Sequence, residues 1–116
     1  MKEKEEIKVV NDQVGCPTFA SDLAQAVADI IMADTFTPGI FHFSNEGATT
    51  WFDFATAIRD ESGYDCKVLP IPTELYPTPA RRPHYSVMDI NKIRNIYDAS
   101  TPSWQISMAR CVAELV

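Results

Sequence analysis

A strand followed by a helix is predicted for residues 7–31, which read IKVVNDQVGCPTFASDLAQAVADII. The apolar residues at the start of this stretch predict a strand over residues 7–14, which a glycine and a proline then terminate. We expect a helix capped by Thr18 or Ser21 and ending near Asp34. The residues of its apolar face recur at helical spacing: Leu23, Ala26, Val27, Ile30 and Ile31. This pattern is typical of an α/β protein.

The alternation of strand and helix continues along the chain. Residues 40–43, Ile-Phe-His-Phe, lie between turn residues and predict a buried strand. Thr50 has the position of a helix cap, and Gly63 that of the left-handed residue that ends a helix. Residues 67–69 predict a third strand.

A Pro-rich segment at residues 70–86 interrupts this order. Five of the eight prolines fall within residues 70–83, which excludes a regular helix or a central strand and favours a stiff, extended surface loop. Two helices are expected after it, one capped by Asp89 and one capped by Thr101 with Pro102 at its first position. The predicted fold is therefore mixed α/β, with a few short strands and about four helices.

Composition sets limits on function. Acidic residues outnumber basic ones, 16 to 10, which argues against a nucleic-acid surface and against docking on an anionic membrane. No apolar run approaches the ~20 residues that a membrane span needs. The three cysteines, Cys16, Cys66 and Cys111, form no CxxC pair. We expect reduced thiols and a cytoplasmic protein.

The sequence contains no recognisable catalytic motif. Its four glycines are isolated, so no Gly-rich loop for a dinucleotide or a nucleoside triphosphate is present. The two histidines, His42 and His84, form no Ser-His-Asp or Cys-His pattern, and His42 is expected to be a hydrogen-bonded core residue. No cluster of carboxylates predicts a metal site. We do not expect the chain to catalyse a difficult reaction by itself.

Ligand binding is better supported by the residue pattern. Asn11-Asp12-Gln13 ends a strand just before a helix, and in open α/β sheets ligands bind at such strand ends. Arg81 and Arg82 are the one adjacent basic pair, and an arginine guanidinium matches phosphate geometry. A solvated surface pair is the alternative. Trp51 fits a core position on its helix or, as the alternative, the wall of a pocket.

Three stretches together indicate a family. They are VNDQVGCPT at 10–18 followed by Asp22-Leu23-Ala24, GIFHFSNEG at 39–47 followed by TWFDFA at 50–55, and YPTPARRPHYSVMD at 76–89. In this order they resemble the C-terminal part of the dTDP-4-dehydrorhamnose reductases, which are extended short-chain dehydrogenase/reductases. The resemblance covers about residues 7–115. It implies that residues 1–116 are one substrate-binding domain without a complete Rossmann domain. Residues 1–6 would be a disordered or cloning-derived tail, and residues 70–86 a Pro-rich substrate loop.

The resemblance also implies an activity. This family reduces the 4-keto group of dTDP-4-dehydro-L-rhamnose with NADPH in dTDP-L-rhamnose biosynthesis. Its N-terminal half carries the Gly-rich cofactor loop and a Tyr-x-x-x-Lys pair, and its C-terminal part mainly binds the nucleotide sugar. None of the four tyrosines here has a lysine four positions later. We therefore expect a truncated product or a separate domain that has no catalytic residue, binds no NADPH and is inactive alone.

Five residues are the expected substrate-binding set. By its place in the Arg-Pro string, Arg82 is expected to approach the nucleotide diphosphate, with Arg81 beside it. Gln13 and Thr18 match the strand-end motif beside the sugar pocket, and Thr18 is alternatively only a helix cap. Trp51 completes the set. Members of the family differ in metal dependence, and no metal-ligand spacing here resolves it.

The expected partners follow from the same resemblance. They are the dTDP-sugar and either the missing Rossmann half or a second copy of the chain, which would pair through the open edge of the strand at residues 7–14. Nucleic acid and membrane are not expected. A second hypothesis is a non-catalytic reductase-like module that acts through a protein partner. A third is an unrelated small α/β domain that matches the motifs by chance.

Overall fold

The fold consists of short strands and four helices, which confirms the predicted mixed α/β class. A computed structural model describes all 116 residues. In chain order the elements are β1 (Glu6–Val10), β2 (Val14–Gly15), α1 (Ala20–Ile31), β3 (Thr49–Thr50), α2 (Trp51–Ser62), β4 (Lys67–Ile71), a 3-10 turn (Thr73–Leu75), α3 (Asn91–Tyr97) and α4 (Trp104–Leu115). None of these helices combines the length and the apolar character that crossing a bilayer requires.

Two small sheets organise the chain. β1 and β4 pair in parallel, from Glu6 opposite Lys67 to Val10 opposite Ile71. β2 and β3 form a two-residue antiparallel ladder. Because paired parallel strands run in the same direction, β1 and β4 end side by side. The segments that follow them, residues 11–13 and 72–75, therefore leave the sheet together.

A buried polar network joins α1 to α4. The Asp22 carboxylate accepts hydrogen bonds from Asn45 Nδ2 at 2.8 Å, from Ser107 Oγ and from Arg110 Nη1 at 2.9 Å. Asn45 Oδ1 accepts from the Phe19 amide at 2.7 Å, at the start of α1. Burial by itself raises the pKa of Asp22, but the three hydrogen bonds outweigh it, so the net pKa lies below the ordinary value.

Much apolar surface of this chain is uncovered. Only 16 of 116 residues are buried, and the radius of gyration is 16.4 Å, against about 13 Å for a compact domain of this length. On α1 the predicted apolar stripe faces outward, with Leu23, Val27 and Ile31 exposed by 45%, 49% and 75%. The residues that α1 buries are Asp22 and Ala26. An amphipathic helix with an open apolar face is typical of one that packs against another body.

The predicted strand at residues 7–14 is two strands in the structure. β1 ends at Val10 and β2 begins at Val14, because the chain turns where the Asp12 side chain bonds the start of the Pro-rich segment. The predicted tail at residues 1–6 is too long at its C-terminal end. Glu6 belongs to β1, and Glu5 O accepts a hydrogen bond from the Lys67 amide at 2.8 Å.

The predicted strand at residues 40–43 is absent, and His42 is exposed rather than in the core. No strand lies alongside to pair with this segment. It is held by side chains instead. The Phe41 ring packs edge-on against Tyr97 at 5.2 Å, and Lys92 Nζ donates to Ile40 O at 2.8 Å.

Helix caps are partly as predicted. Thr50 Oγ1 accepts from the Asp53 amide at 3.1 Å at the start of α2, and Gly63 ends that helix with φ 73°. The caps predicted for α1 and α4 are wrong. Phe19 is the N-cap residue of α1, where Asn45 replaces a local cap, and Ser103 rather than Thr101 caps α4.

The Pro-rich segment begins two residues later than predicted. Pro70 and Ile71 complete β4, because an edge strand tolerates a residue without an amide hydrogen. We therefore define the Pro-rich segment as residues 72–86. All of it except Thr73 is exposed, which confirms the predicted surface loop.

Candidate functional site

Two adjoining cavities lie where β1 and β4 end, and both are lined by Gln13, Trp51 and Arg82. The first measures about 480 Å³ and the second about 420 Å³, within the range of ligand pockets. The other lining residues are Lys8, Val9, Val10, Tyr76 and Thr78 in the first cavity, and Pro83 and Ser86 in the second. We call these two cavities together the strand-end site.

Arg82 belongs to the Pro-rich segment and is the one cation that lines both cavities. Its guanidinium forms no ion pair within the chain, and neither does that of Arg81. Arg81 lies next to the site, in a third cavity that Arg82 also lines, together with Glu74 and His84. Both arginines are therefore exposed and without an acidic partner, so an anionic ligand can reach them.

Trp51 forms the wall opposite the Pro-rich segment. It is the first residue of α2, and the residue is 42% exposed. One side of the indole meets the Phe54 ring edge-on at 6.2 Å, which restrains its orientation. The pocket alternative from the sequence is the one that the structure supports, because a core tryptophan would not be exposed to this extent.

The charge of the strand-end site differs from that of the whole chain. The chain carries a formal charge of −6, yet no acidic residue lines either cavity. Lys8 and Arg82 both lie there. Gln13 adds an amide that can donate and accept hydrogen bonds. The site therefore offers cations, an amide and an aromatic face to one ligand.

The first half of the Pro-rich segment is attached to the end of β1. Both Asp12 carboxylate oxygens lie 3.1 Å from the Thr73 amide nitrogen, and Thr73 Oγ1 donates to Asp12 Oδ1 at 2.6 Å. Gln13 Nε2 also donates to Thr73 Oγ1 at 3.3 Å. The side-chain and backbone hydrogen bonds from Thr73 lower the pKa of Asp12, so the carboxylate is ionised at neutral pH.

The second half of the segment is attached to β2. The Val14 amide donates to His84 O at 2.8 Å, and the Ser86 amide donates to Val14 O at 2.9 Å. His84 Nδ1 lies 3.0 Å from Asp12 O. Gly15 permits this close approach, because a Cβ there would lie 2.9 Å from Ser86 Oγ. Arg81 and Arg82 thus lie on a segment that is held at both ends.

Thr18 does not belong to the strand-end site. Its hydroxyl donates to Cys16 O at 3.1 Å and accepts from the Asn45 amide at 3.3 Å. It lines a separate apolar groove of about 370 Å³ between the start of α1 and α4, with Phe54 and Trp104 among the other lining residues. The structure therefore brings Gln13, Trp51 and Arg82 together, places Arg81 beside them, and leaves Thr18 apart.

Several lining residues were missing from the predicted set. Lys8 and Thr78 gave no signal of their own in the sequence, because an exposed lysine on a strand and a threonine in a loop are common. Thr73, which lines the third cavity and not the strand-end site, was also missed, although the polar Asn-Asp-Gln stretch marked the place where it binds.

The chain offers no cradle for a dinucleotide and no metal cluster. Its glycines stand apart at positions 15, 39, 47 and 63, so no loop of closely spaced glycines adjoins a helix start. These residues do not fit the pyrophosphate of NADP. The structure also contains no group of three or more His, Cys, Asp or Glu side chains that could hold a metal ion.

Comparison with known proteins gives a consistent result. The family model described as "RmlD substrate binding domain" matches residues 1–116. A dTDP-4-dehydrorhamnose reductase from Escherichia coli is 38% identical over 98% of this chain and 41% of its own length. The spore coat polysaccharide biosynthesis protein SpsK of Bacillus subtilis is 46% identical over 85 residues, which are 73% of this chain and 29% of SpsK.

A solved structure has the same fold. The dTDP-4-dehydrorhamnose reductase from Bacillus anthracis, crystallised in complex with NADP, superposes with a TM-score of 0.87 at 37% identity. The match covers 99% of this chain and 40% of the reductase. The chain thus spans about two fifths of the length of the reductases that it matches.

Proposed function

The chain belongs to the RmlD substrate-binding domain family, and on that basis we propose that it is the nucleotide-sugar-binding part of a dTDP-4-dehydrorhamnose reductase. The observation that carries the proposal is the convergence of Gln13, Trp51 and Arg82 on two adjoining cavities. These residues lie in three separate parts of the sequence. Each offers a chemical group that is suited to contact one part of a nucleotide sugar.

The ligand is matched to the site by its chemistry. A nucleoside diphosphate carries two phosphates, which the Arg82 guanidinium binds through paired, charge-assisted hydrogen bonds, with Lys8 as a second cation. The Trp51 ring offers a flat apolar face to a base or a sugar ring. The Gln13 amide is suited to sugar hydroxyls. Arg81 shares a third cavity with Arg82, and we expect it to meet the part of the ligand that extends past Arg82.

Titration calorimetry with dTDP tests this proposal. We expect the unmodified chain to bind and Arg82→Ala to bind at least about tenfold more weakly, since a bidentate cation is lost. Arg94→Ala is the matched control, because Arg94 lies on α3, outside the cavities, in a long 3.9 Å contact with Glu46. Failure of the folded chain to bind dTDP, or equal binding by Arg82→Ala, would refute the proposal.

For catalysis we propose that this chain supplies only the residues that bind the substrate. The cofactor loop and the proton-donating Tyr-x-x-x-Lys pair would come from a Rossmann half, and NADPH would bind there. Relatives of the full length have room for such a half, because the chain covers only 40% of the reductase that binds NADP. We expect the 116-residue chain alone to show no NADPH oxidation with dTDP-4-dehydro-L-rhamnose. Measurable turnover by the pure chain would contradict this.

For partners we propose that the Rossmann half covers the open apolar stripe of α1. Without it, the unpaired edge of β1 is expected either to pair with a second copy of the chain or to leave the N-terminus loosely ordered. Sedimentation and hydrogen exchange test the second statement. A monomer whose β1 backbone is fully protected would contradict it. With three free cysteines, the chain is proposed to act in the cytoplasm.

The second hypothesis, a non-catalytic module that acts through a protein partner, rests on the same apolar stripe of α1. The two hypotheses differ in ligand binding. A module that has only a protein partner has no reason to bind dTDP, so the calorimetric titration separates them.

A further inference from the structure

We propose that Asp12 and Thr73 are positioning residues, which hold the Pro-rich segment against the end of β1 and so orient Arg82 toward the strand-end site. This inference rests on the proposed function, because it concerns the same site. It adds two residues that do not themselves line the two cavities of that site. We call their set of hydrogen bonds the Asp12 clasp.

The geometry of the clasp is the first argument. The Asp12 carboxylate accepts both the amide and the hydroxyl hydrogen of Thr73, and these bonds join parts of the chain 61 residues apart. Hydrogen bonds to an ionised carboxylate are roughly twice as strong as neutral ones. A side-chain hydroxyl at position 73, from threonine or serine, is needed for the hydroxyl bond, whereas any residue except proline would supply the amide.

The place of the clasp is the second argument. It holds the first half of the Pro-rich segment, while the backbone bonds of Val14 to His84 and Ser86 hold the other end. Arg82 lies between the two attachment points. Since prolines stiffen the chain between them, fixing both ends restricts where the Arg82 guanidinium can lie. Restricting it before binding reduces the ordering cost that the ligand must overcome.

The clasp also orients Gln13, a second residue that lines the strand-end site. Gln13 Nε2 donates to the same Thr73 hydroxyl, so one side chain orients both the Pro-rich segment and the Gln13 amide. Loss of the hydroxyl therefore releases two elements of the site at once. Thr73 lines neither cavity of the strand-end site, so its substitution removes no direct contact there. It does line the third cavity beside Arg81, which makes a measurement without ligand necessary to separate positioning from contact.

Two measurements on the full 116-residue chain test this inference. The first is the affinity for dTDP by calorimetry. The second needs no ligand and follows the rate at which trypsin cleaves after Arg81, since the bond after Arg82 is protected by Pro83. We expect Asp12→Ala and Thr73→Val to weaken dTDP binding about tenfold and to speed the cleavage about tenfold, because the segment opens more often.

Conservative variants separate positioning from general destabilisation. Thr73→Ser keeps the hydroxyl and is expected to stay within about twofold of the unmodified chain in both measurements. Thr56→Val is the matched control, because it removes a hydroxyl that bonds Phe52 O at 2.9 Å within α2, away from the clasp. It is also expected to stay within about twofold. If Asp12→Ala does not fold, the comparison of Thr73→Val with Thr73→Ser decides.

The inference is overturned if folded Asp12→Ala and Thr73→Val keep both the affinity and the cleavage rate of the unmodified chain. It is also overturned if Thr73→Ser is as impaired as Thr73→Val. Absence of dTDP binding by the unmodified chain would refute the proposed function instead. The cleavage rates would then still decide whether the clasp holds the segment.

Discussion

Replacing Asp22 by alanine is expected to lower the free energy of unfolding by about 3 kcal/mol. The side chain is 8% exposed and accepts hydrogen bonds from Asn45, Ser107 and Arg110. Its removal leaves two donors, on Asn45 and Ser107, in places that are each 1% exposed, where water does not replace the lost acceptor. A buried donor without a partner costs about 1–3 kcal/mol.

Two details refine this magnitude. Asn45 Nδ2 already lies 3.3 Å from Ser107 Oγ, so these two groups partly satisfy each other after the substitution. Arg110 is half-exposed and regains water, which limits its share of the loss. About one buried donor therefore stays unsatisfied. Loss of a negative charge from the first turn of α1 adds about 0.3–1 kcal/mol.

Urea unfolding followed by circular dichroism measures this loss, with Asp29→Ala as the matched control. Asp29 lies on the same helix but is exposed, and it accepts one hydrogen bond from Gln25 Nε2 at 2.8 Å. Its substitution is expected to cost less than about 0.5 kcal/mol. If the two variants differ by less than about 1 kcal/mol, the polar network does not stabilise the fold as argued.

Three further predictions concern stability. The folded-state pKa of Asp22 lies below its ordinary value of 3.8. The stability that the Asp22 carboxylate contributes is therefore complete above pH 3.8 and is lost as the pH falls through the folded-state pKa. Urea unfolding at a series of acidic pH values should show a smaller loss of stability in Asp22→Asn than in the unmodified chain. Gly47→Ala is expected to cost about 1–3 kcal/mol in thermal unfolding, because φ is 100° there and the added Cβ would lie 3.0 Å from Trp104 Cδ1. Gly63→Ala is the control and should cost less, because a Cβ at position 63 meets no neighbour. Equal losses in the two variants would contradict the steric argument. Thr50→Ala removes the cap of α2 and is expected to cost about 1 kcal/mol in urea unfolding, whereas an unchanged midpoint would show that the cap is not needed.

Local signals account for what the sequence predicted well. Both ends of α2 were predicted because Thr50 and Gly63 act on backbone groups within a few residues. The strand at residues 40–43 was predicted wrongly because strand formation needs a partner, and no local pattern shows whether one is present. The outward stripe of α1 has a related cause, since periodicity shows that a helix has an apolar face but not what covers that face.

The site was predictable only in part. Arg82 and Gln13 were selected by residue chemistry and motif, and the structure places them in the same cavities. Their role in binding stays a prediction. Thr18 was selected by motif alone and lies elsewhere. The Asn-Asp-Gln stretch marked one end of the Asp12–Thr73 contact, but the pairing itself was not predictable, because polar residues 61 positions apart show no pattern in one sequence.

The pairing of β1 with β4 has a consequence for biosynthesis. Within this chain, β1 pairs with one strand, β4 at positions 67–71. It therefore remains unpaired while the ribosome adds roughly 60 further residues. At about 5–20 residues per second, this takes about 3–12 s on the ribosome. Closing a loop of this length also makes the pairing a slow step in refolding from denaturant. The nascent β1 is therefore an exposed strand edge until residue 71 has been made, and synonymous codons that slow translation between β1 and residue 71 should increase aggregation during expression.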